Sequence, residues 1–129
     1  MTEKTLVIIN EQHSLMEEQE AILNENFKGI EFLKVPANGW NLSEIKNILS
    51  DLSIREKNFL ELVFVSPVPA MVMMAACIAG HWDINPTKIS NVFVFHNDNR
   101  DKKEFPNGKI IMTISETGWK LIDMFGREL

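Results

Sequence analysis

"LELVFVSPVPAMVMMAACIAG", residues 60–80, decides how the chain folds. From Leu62 to Trp82 no residue is charged, a run long enough to cross a bilayer as one helix. Its interior argues otherwise. "LVFV" is β-branched and aromatic and reads as a strand, Pro67 and Pro69 punctuate the next few positions, and only "MVMMAACIAG" is left for a helix, which is too short to span. The segment is expected as a buried strand, a turn and a buried helix, with no membrane span.

The same alternation extends outward on both sides. Thr5–Ile9 reads as a strand, then Ser14–Asn26 as a helix opened by the capping box Ser14-x-x-Glu17. Ile30–Val35 is a second strand. A second helix starts at Asn41 with the box Asn41-x-x-Glu44, and Leu42, Ile45, Ile48, Leu49 and Leu52 form its apolar stripe. Leu60–Val65 is the third strand, Val68 to Gly80 the third helix and Asn91–His96 the fourth strand. Beyond it, "NDNRDKKEFPNG" is polar and ends in a turn signal. "KIIMTI" is then expected to return as an antiparallel partner of strand four, and a helix from Glu116 to Phe125 to stop at Gly126. Strands alternating with helices imply right-handed crossovers and a parallel sheet. The expected fold is one α/β domain over residues 1–129, a Rossmann-like three-layer sandwich. Its sheet is mostly parallel, of about five strands, with an antiparallel C-terminal hairpin.

Composition narrows the function classes. The 129 residues are 45% hydrophobic and 24% charged, in the range of a globular domain, and the net charge of −5 disfavours a grip on long nucleic acid through its phosphates. Cys77 stands alone, which excludes a disulfide framework and points to a reducing, cytoplasmic location; no basic stretch precedes an apolar core at the start, so no secretory signal is expected. No glycine falls in the first strand–helix loop, so neither G-x-G-x-x-G nor G-x-x-x-x-G-K-[ST] is present, and G-x-S-x-G is missing too. Three dispersed histidines without a carboxylate cluster argue for no metal, and nothing calls for a cofactor.

In a parallel sheet, ligands sit beyond the carboxyl ends of the strands. Four loops should meet there: Asn10–Ser14, Pro36–Asn41, Ser66–Ala70 and His96–Arg100. They carry Asn10, His13, Ser14, Asn38, Trp40, Ser66, Pro67, Ala70, His96 and Arg100, together with the N-termini of three helices, an environment suited to an anion. Trp40 has an ordinary role, as a hydrophobic staple on Ile45. His13 does not, because the equivalent partner is the polar Glu18. Ser66 and Pro67 would also serve simply to cap and start the third helix, His96 to end a buried strand, and Arg100 to decorate a solvated loop. His81 follows the third helix and belongs at the opposite edge. That helix, apolar all round from Met71 to Ile78, is either fully buried or shared with a second copy in a homodimer.

The opening pattern, a short apolar strand followed by His13-Ser14-Leu15 and the pair Glu18-Gln19, resembles the start of the small CARF-like ring nucleases of type III CRISPR systems. So does the order of elements along nearly the whole chain, including the loop Ser66-Pro67-Val68-Pro69. Met16 stands where a Ser or Thr is more familiar, leaving Ser14 to supply the first-loop hydroxyl. The resemblance implies a homodimer that binds a cyclic oligoadenylate, most simply cyclic tetra-adenylate, and linearises it without metal by attack of a ribose 2′-hydroxyl, switching off the CRISPR response. His13 would then be general acid or base. Ser66, with Pro67 and Ala70 at the helix N-terminus, would cradle the phosphate. His96 and Arg100 would meet transition-state charge, and Asn10, Ser14 and Asn38 would contact ligand. A non-catalytic sensor or sink for the same ligand, and a partner-binding domain acting through its Met-rich helix, are the alternatives.

Overall fold

Thr5 to Ile9 are buried without a break, as expected of a strand covered on both faces and paired on both edges. This strand, β1 (Lys4–Asn10), lies between β2 (Ile30–Val35) and β3 (Leu60–Phe64), parallel to both. Outside β3 comes the parallel β4 (Ile89–Asn97), so four parallel strands run in the order β2-β1-β3-β4. The computed structural model describes residues 4–55, 60–78 and 89–129. His81 and the end of the third helix expected at Gly80 lie outside them.

The helices α1 (Glu17–Asn26), α2 (Leu42–Arg55) and α3 (Pro69–Ile78) connect these strands, and alternation along the strands sorts them onto two faces. Leu6, Ile8, Leu62, Phe64 and Val92 pack with Ile45 of α2 and Ala70 of α3. Val7, Ile9, Val63, Phe93 and Phe95 pack with Leu23 of α1 and with Phe27 just beyond it, whose ring stands edge-on to Phe93 at 5.5 Å. Among the described residues, no helix is long and apolar enough to cross a membrane.

After β4 the structure departs from the sequence expectation. The polar stretch is itself a strand, β5 (Arg100–Glu104), and its partner is β6 (Ile110–Ile114). The hairpin thus pairs within itself as a separate two-stranded sheet and not with β4. Its turn has Gly108 at φ +83°, and the Phe105 N–H donates to Lys109 O at 2.8 Å. The expected last helix is instead a strand, β7 (Trp119–Asp123), antiparallel to β4 and closing the sheet. Two constraints defeat the helix. "WKLID" alternates, so that Trp119 and the buried Leu121 join the α1 side of the core while Lys120 faces away. Gly118, inside the expected helix, has φ +90°, and a Cβ there would run into the Asn99 side chain. Gly126, at φ +80°, serves a turn after β7 and not a helix end: Asp123 Oδ1 accepts from the Phe125 and Arg127 N–H groups, and Leu129 N–H returns to Leu121 O at 2.9 Å.

The start of α1 also differs. Ser14 is exposed, and the helix begins three residues later, where Gln19 Oε1 reaches back to accept from Met16 N–H at 2.9 Å. Glu18 performs a different task. Its Oε1 accepts from Gly118 N–H at 2.9 Å and Trp119 N–H at 2.7 Å, tying α1 to the first residue of β7 across a hundred positions of chain. Charge-assisted bonds to otherwise unpaired N–H groups are the stronger kind. Glu18→Ala is expected to lower the unfolding free energy by about 1.5–3 kcal/mol in urea denaturation, with Glu18→Gln recovering part of it. A loss within ~0.5 kcal/mol would show that β7 docks without the clamp.

Candidate functional site

The strand order reverses between β1 and β3, since the chain steps to β2 on one side and to β3 on the other. A crevice forms there at the carboxyl ends, the usual ligand position in such sheets. It holds a cavity of about 310 Å³ lined by Ile8, Asn10, His13, Val35, Gly39, Trp40, Ile45, Phe64, Ser66, Val68, Pro69 and Ala70. The apolar walls include Ile8, Val35 and Phe64, side chains near the ends of three strands in the core cluster shared with α2 and α3, and the polar groups come from the loops.

Asn10 organises two of those loops. Its Oδ1 accepts from Gln12 N–H at 3.0 Å, and its Nδ2 donates to the carbonyls of Pro36 and Ala37, each at 3.3 Å. Glu11 Oε1 accepts from Ala37 N–H at 3.0 Å. His13 N–H then closes a turn onto Asn10 O at 2.9 Å, bringing the imidazole to the cavity. Asn10 is therefore a scaffold of the site. On the second loop, Gly39 (φ +80°) turns the chain so that Trp40 lines the cavity while packing in the core cluster of Ile45. Trp40 thus packs on the cluster that contains the staple partner expected for it, and it also lines the cavity.

The three helix N-termini are not equivalent. α1 carries Glu17, Glu18 and Glu20 in its first turn, and α2 is closed by a reciprocal capping box, Glu44 N–H to Asn41 Oδ1 at 2.8 Å and Asn41 N–H to Glu44 Oε1 at 3.2 Å. Of the three, α3 alone starts without an acidic residue. Pro69, not Pro67, occupies its first position, so Ser66 precedes the helix by three residues and does not cap it. Among the described residues, nothing accepts a hydrogen bond from Ala70 N–H, and neither the Ser66 hydroxyl nor the His13 imidazole has a partner.

Of the residues expected at this edge, the cavity gathers Asn10, His13, Trp40, Ser66 and Ala70, while Ser14, Asn38, Pro67, His96 and Arg100 are outside its lining. Arg100 donates from Nη1 to the carbonyls of Asn97 and Asn99, both at 2.7 Å, and so fastens the base of the hairpin. His96 Nε2 lies 2.9 Å from Asp98 Oδ1, and Lys120 Nζ 2.6 Å from Asp98 Oδ2. The apolar walls Ile8, Val35 and Phe64 escape sequence reading because nothing in a buried strand marks the residue at which burial ends in a cavity. Glu18 and Gln19, part of the motif behind the family resemblance, have the structural roles described above. No family model matches the chain, and neither does any curated protein or solved structure.

Hydrogen bonds from Lys120 and then His96 hold the Asp98 carboxyl below its ordinary value of 3.8, and Asp98 in turn raises Lys120. A depressed carboxyl favours the fold above its unfolded-state pKa, and that contribution is lost as pH falls through the folded-state value. The stability difference between wild type and Asp98→Asn is thus expected to be flat from neutrality down to about pH 5 and to close below about pH 4. Chemical denaturation across that range measures it, and a difference that widened on acidification would contradict the assignment.

Proposed function

We propose that the cavity between β1 and β3 receives one unit of a cyclic oligoadenylate and that the chain linearises the ring without metal. The observation that carries this reading is the pairing, in one apolar crevice at the strand-order reversal, of two chemically capable side chains that have no structural employment among the described residues, His13 and Ser66. Trp40, Val35, Ile45 and Phe64 offer surfaces suited to a base, and Ala70 N–H with the Ser66 hydroxyl offers donors for a phosphate oxygen. The helices on the two sheet faces fit a Rossmann-like three-layer sandwich, whose ligands bind at this position.

The chemistry is in-line attack of a ribose 2′-oxygen on the adjacent phosphorus. The 2′-O–P bond forms, the P–O5′ bond breaks, and the products are a 2′,3′-cyclic phosphate and a 5′-hydroxyl. His13 takes the 2′-hydroxyl proton or delivers one to the leaving 5′-oxygen, and the donors at Ser66 and Ala70 stabilise the charged phosphorane. A cavity of about 310 Å³ takes a single nucleoside, so a ring is held by two copies, each offering one site across a two-fold axis. Helix α3 offers one surface for that pairing at Val72, which is 65% exposed.

One observation favours a second reading, binding without cleavage. Among the described residues, no carboxylate or carbonyl orients the His13 ring, whereas a general base is ordinarily held by such a group. Incubation with cyclic tetra-adenylate and cyclic hexa-adenylate in EDTA, with products resolved by mass, separates the two. Fragments ending in a cyclic phosphate, abolished in His13→Ala while affinity changes by less than about fivefold, are the expected result. Intact rings that bind would leave a sink, and rings that neither bind nor react would end the ligand assignment.

A further inference from the structure

Asparagine followed by glycine is the dipeptide in which a backbone nitrogen most readily attacks the preceding side chain, because glycine has no Cβ to hinder the approach. Asn38 and Asn107 both stand before a glycine. The fold gives the two the same local geometry. They lie in turns over residues 36–39 and 105–108, where Gly39 N–H donates to Pro36 O at 2.7 Å and Gly108 N–H to Phe105 O at 2.9 Å. Both glycines have positive φ, +80° and +83°, and both asparagines are exposed to water.

The two carboxamides are held differently. Asn107 Oδ1 accepts from Lys109 N–H at 3.0 Å, and Phe105 N–H donates to Lys109 O at 2.8 Å, so side chain and turn are fastened to the end of the β5–β6 ladder. In the other loop, Asn10 and Glu11 bind the carbonyls of Pro36 and Ala37 and the Ala37 N–H, and their hold stops there. The Asn38 carboxamide has no hydrogen-bond partner among the described residues. Attack by Gly39 N therefore requires the turn to open but breaks no bond of the Asn38 side chain. The same step at Asn107 also breaks the bond to Lys109.

We propose that Asn38 is a site of spontaneous deamidation whose products remodel the wall of the cavity. Gly39 N attacks Asn38 Cγ: the N–Cγ bond forms, the Cγ–Nδ2 bond breaks, and Nδ2 leaves as ammonia with the proton given up by Gly39 N. Water then opens the resulting five-membered imide. Cleavage between the imide nitrogen and Cγ leaves an aspartate. Cleavage at the main-chain carbonyl of residue 38 leaves an isoaspartate, in which the chain continues through Cβ and Cγ. Either product puts a carboxylate immediately before Gly39 and Trp40, which line the cavity, and the isoaspartate adds one carbon to the backbone there. Trp40 is anchored in the cluster of Ile45, so the added length is absorbed at Gly39, on the cavity lining. The proposal does not depend on the ligand assigned above.

Peptide mapping of the purified full chain, aged in mildly alkaline buffer, tests it, with enzymatic methylation of isoaspartyl carboxylates as a second readout. Asn38 is expected to convert about fivefold faster than Asn107, a factor set by the additional hydrogen bond at Asn107. In urea, where both turns are lost, the two rates should agree within about twofold. Asn38→Ser should remove the faster conversion and leave that of Asn107. The indole N–H resonance of Trp40, identified with Trp40→Phe, should split as wild type ages and stay single in Asn38→Ser. Asn107 reacting as fast as Asn38 in the folded chain overturns the proposal, and so does the absence of conversion at Asn38. A preference for Asn38 that persists in urea also overturns it, since local sequence and not the fold would then set the rate. A Trp40 resonance indifferent to conversion at Asn38 overturns the remodelling of the cavity. No nucleotide is added in these measurements, so they succeed or fail independently of ring cleavage.

Discussion

Burial of β1 on both faces and both edges is the constraint on which the rest of the structure depends. A strand reading Thr-Leu-Val-Ile-Ile has no side to give to water, so helices must lie on each face and a strand on each edge. Because the chain reaches β2 by one helix and β3 by the next, the connections part company where β1 ends. The cavity is the result of that parting. Ile8, Val35 and Phe64 line it as the side chains near the strand ends that belong to the cluster shared with α2 and α3, and Asn10 holds the mouth by bonding across to the loop after β2. Site geometry is thus a by-product of core packing.

The other edge of the sheet is finished by a different device. Strand β4 needs a neighbour, and the chain supplies β7 from its C-terminal end after the excursion through the hairpin. That excursion would leave β7 poorly registered if nothing fixed its first residues. Glu18 on α1 binds Gly118 and Trp119, the Phe95 and Trp119 rings meet edge to face at 6.1 Å, and Leu121 is buried against the α1 side. Helix, strand and loop base hold one another, and the positive φ of Gly118 lets the chain enter β7 beside Asn99.

Legibility in the sequence depends on the range of the deciding interaction. The four parallel strands, the capping box at Asn41 and the division of the 60–80 segment are readable because each is set by neighbours within a few positions. At Ser14-x-x-Glu17 the pattern is present but unused, since Gln19 caps the helix and Glu18 is drawn away to a segment a hundred residues distant. Residues 119–123 imitate a helix although Trp119, Lys120 and Leu121 alternate, because Gly126 looks like a helix stop when it in fact serves the turn after a strand, and Gly118 within the expected helix has a positive φ that sequence does not announce. "RDKKE" reads as a loop for a related reason: its pairing with "IIMTI" is decided by the partner strand, not by its own composition. Within the site, His13 and Ser66 are legible as residues available for chemistry, His13 because helix capping does not account for it. That Arg100 is occupied by two carbonyls is not legible, because backbone acceptors have no sequence signature.

The volume of the cavity limits what a single copy can hold. A pocket at the lower end of the range for small ligands can recognise a base and a phosphate but cannot enclose a ring of several nucleotides. The ring proposed as ligand would therefore need repeated sites, and a two-fold axis is the least elaborate way to repeat them.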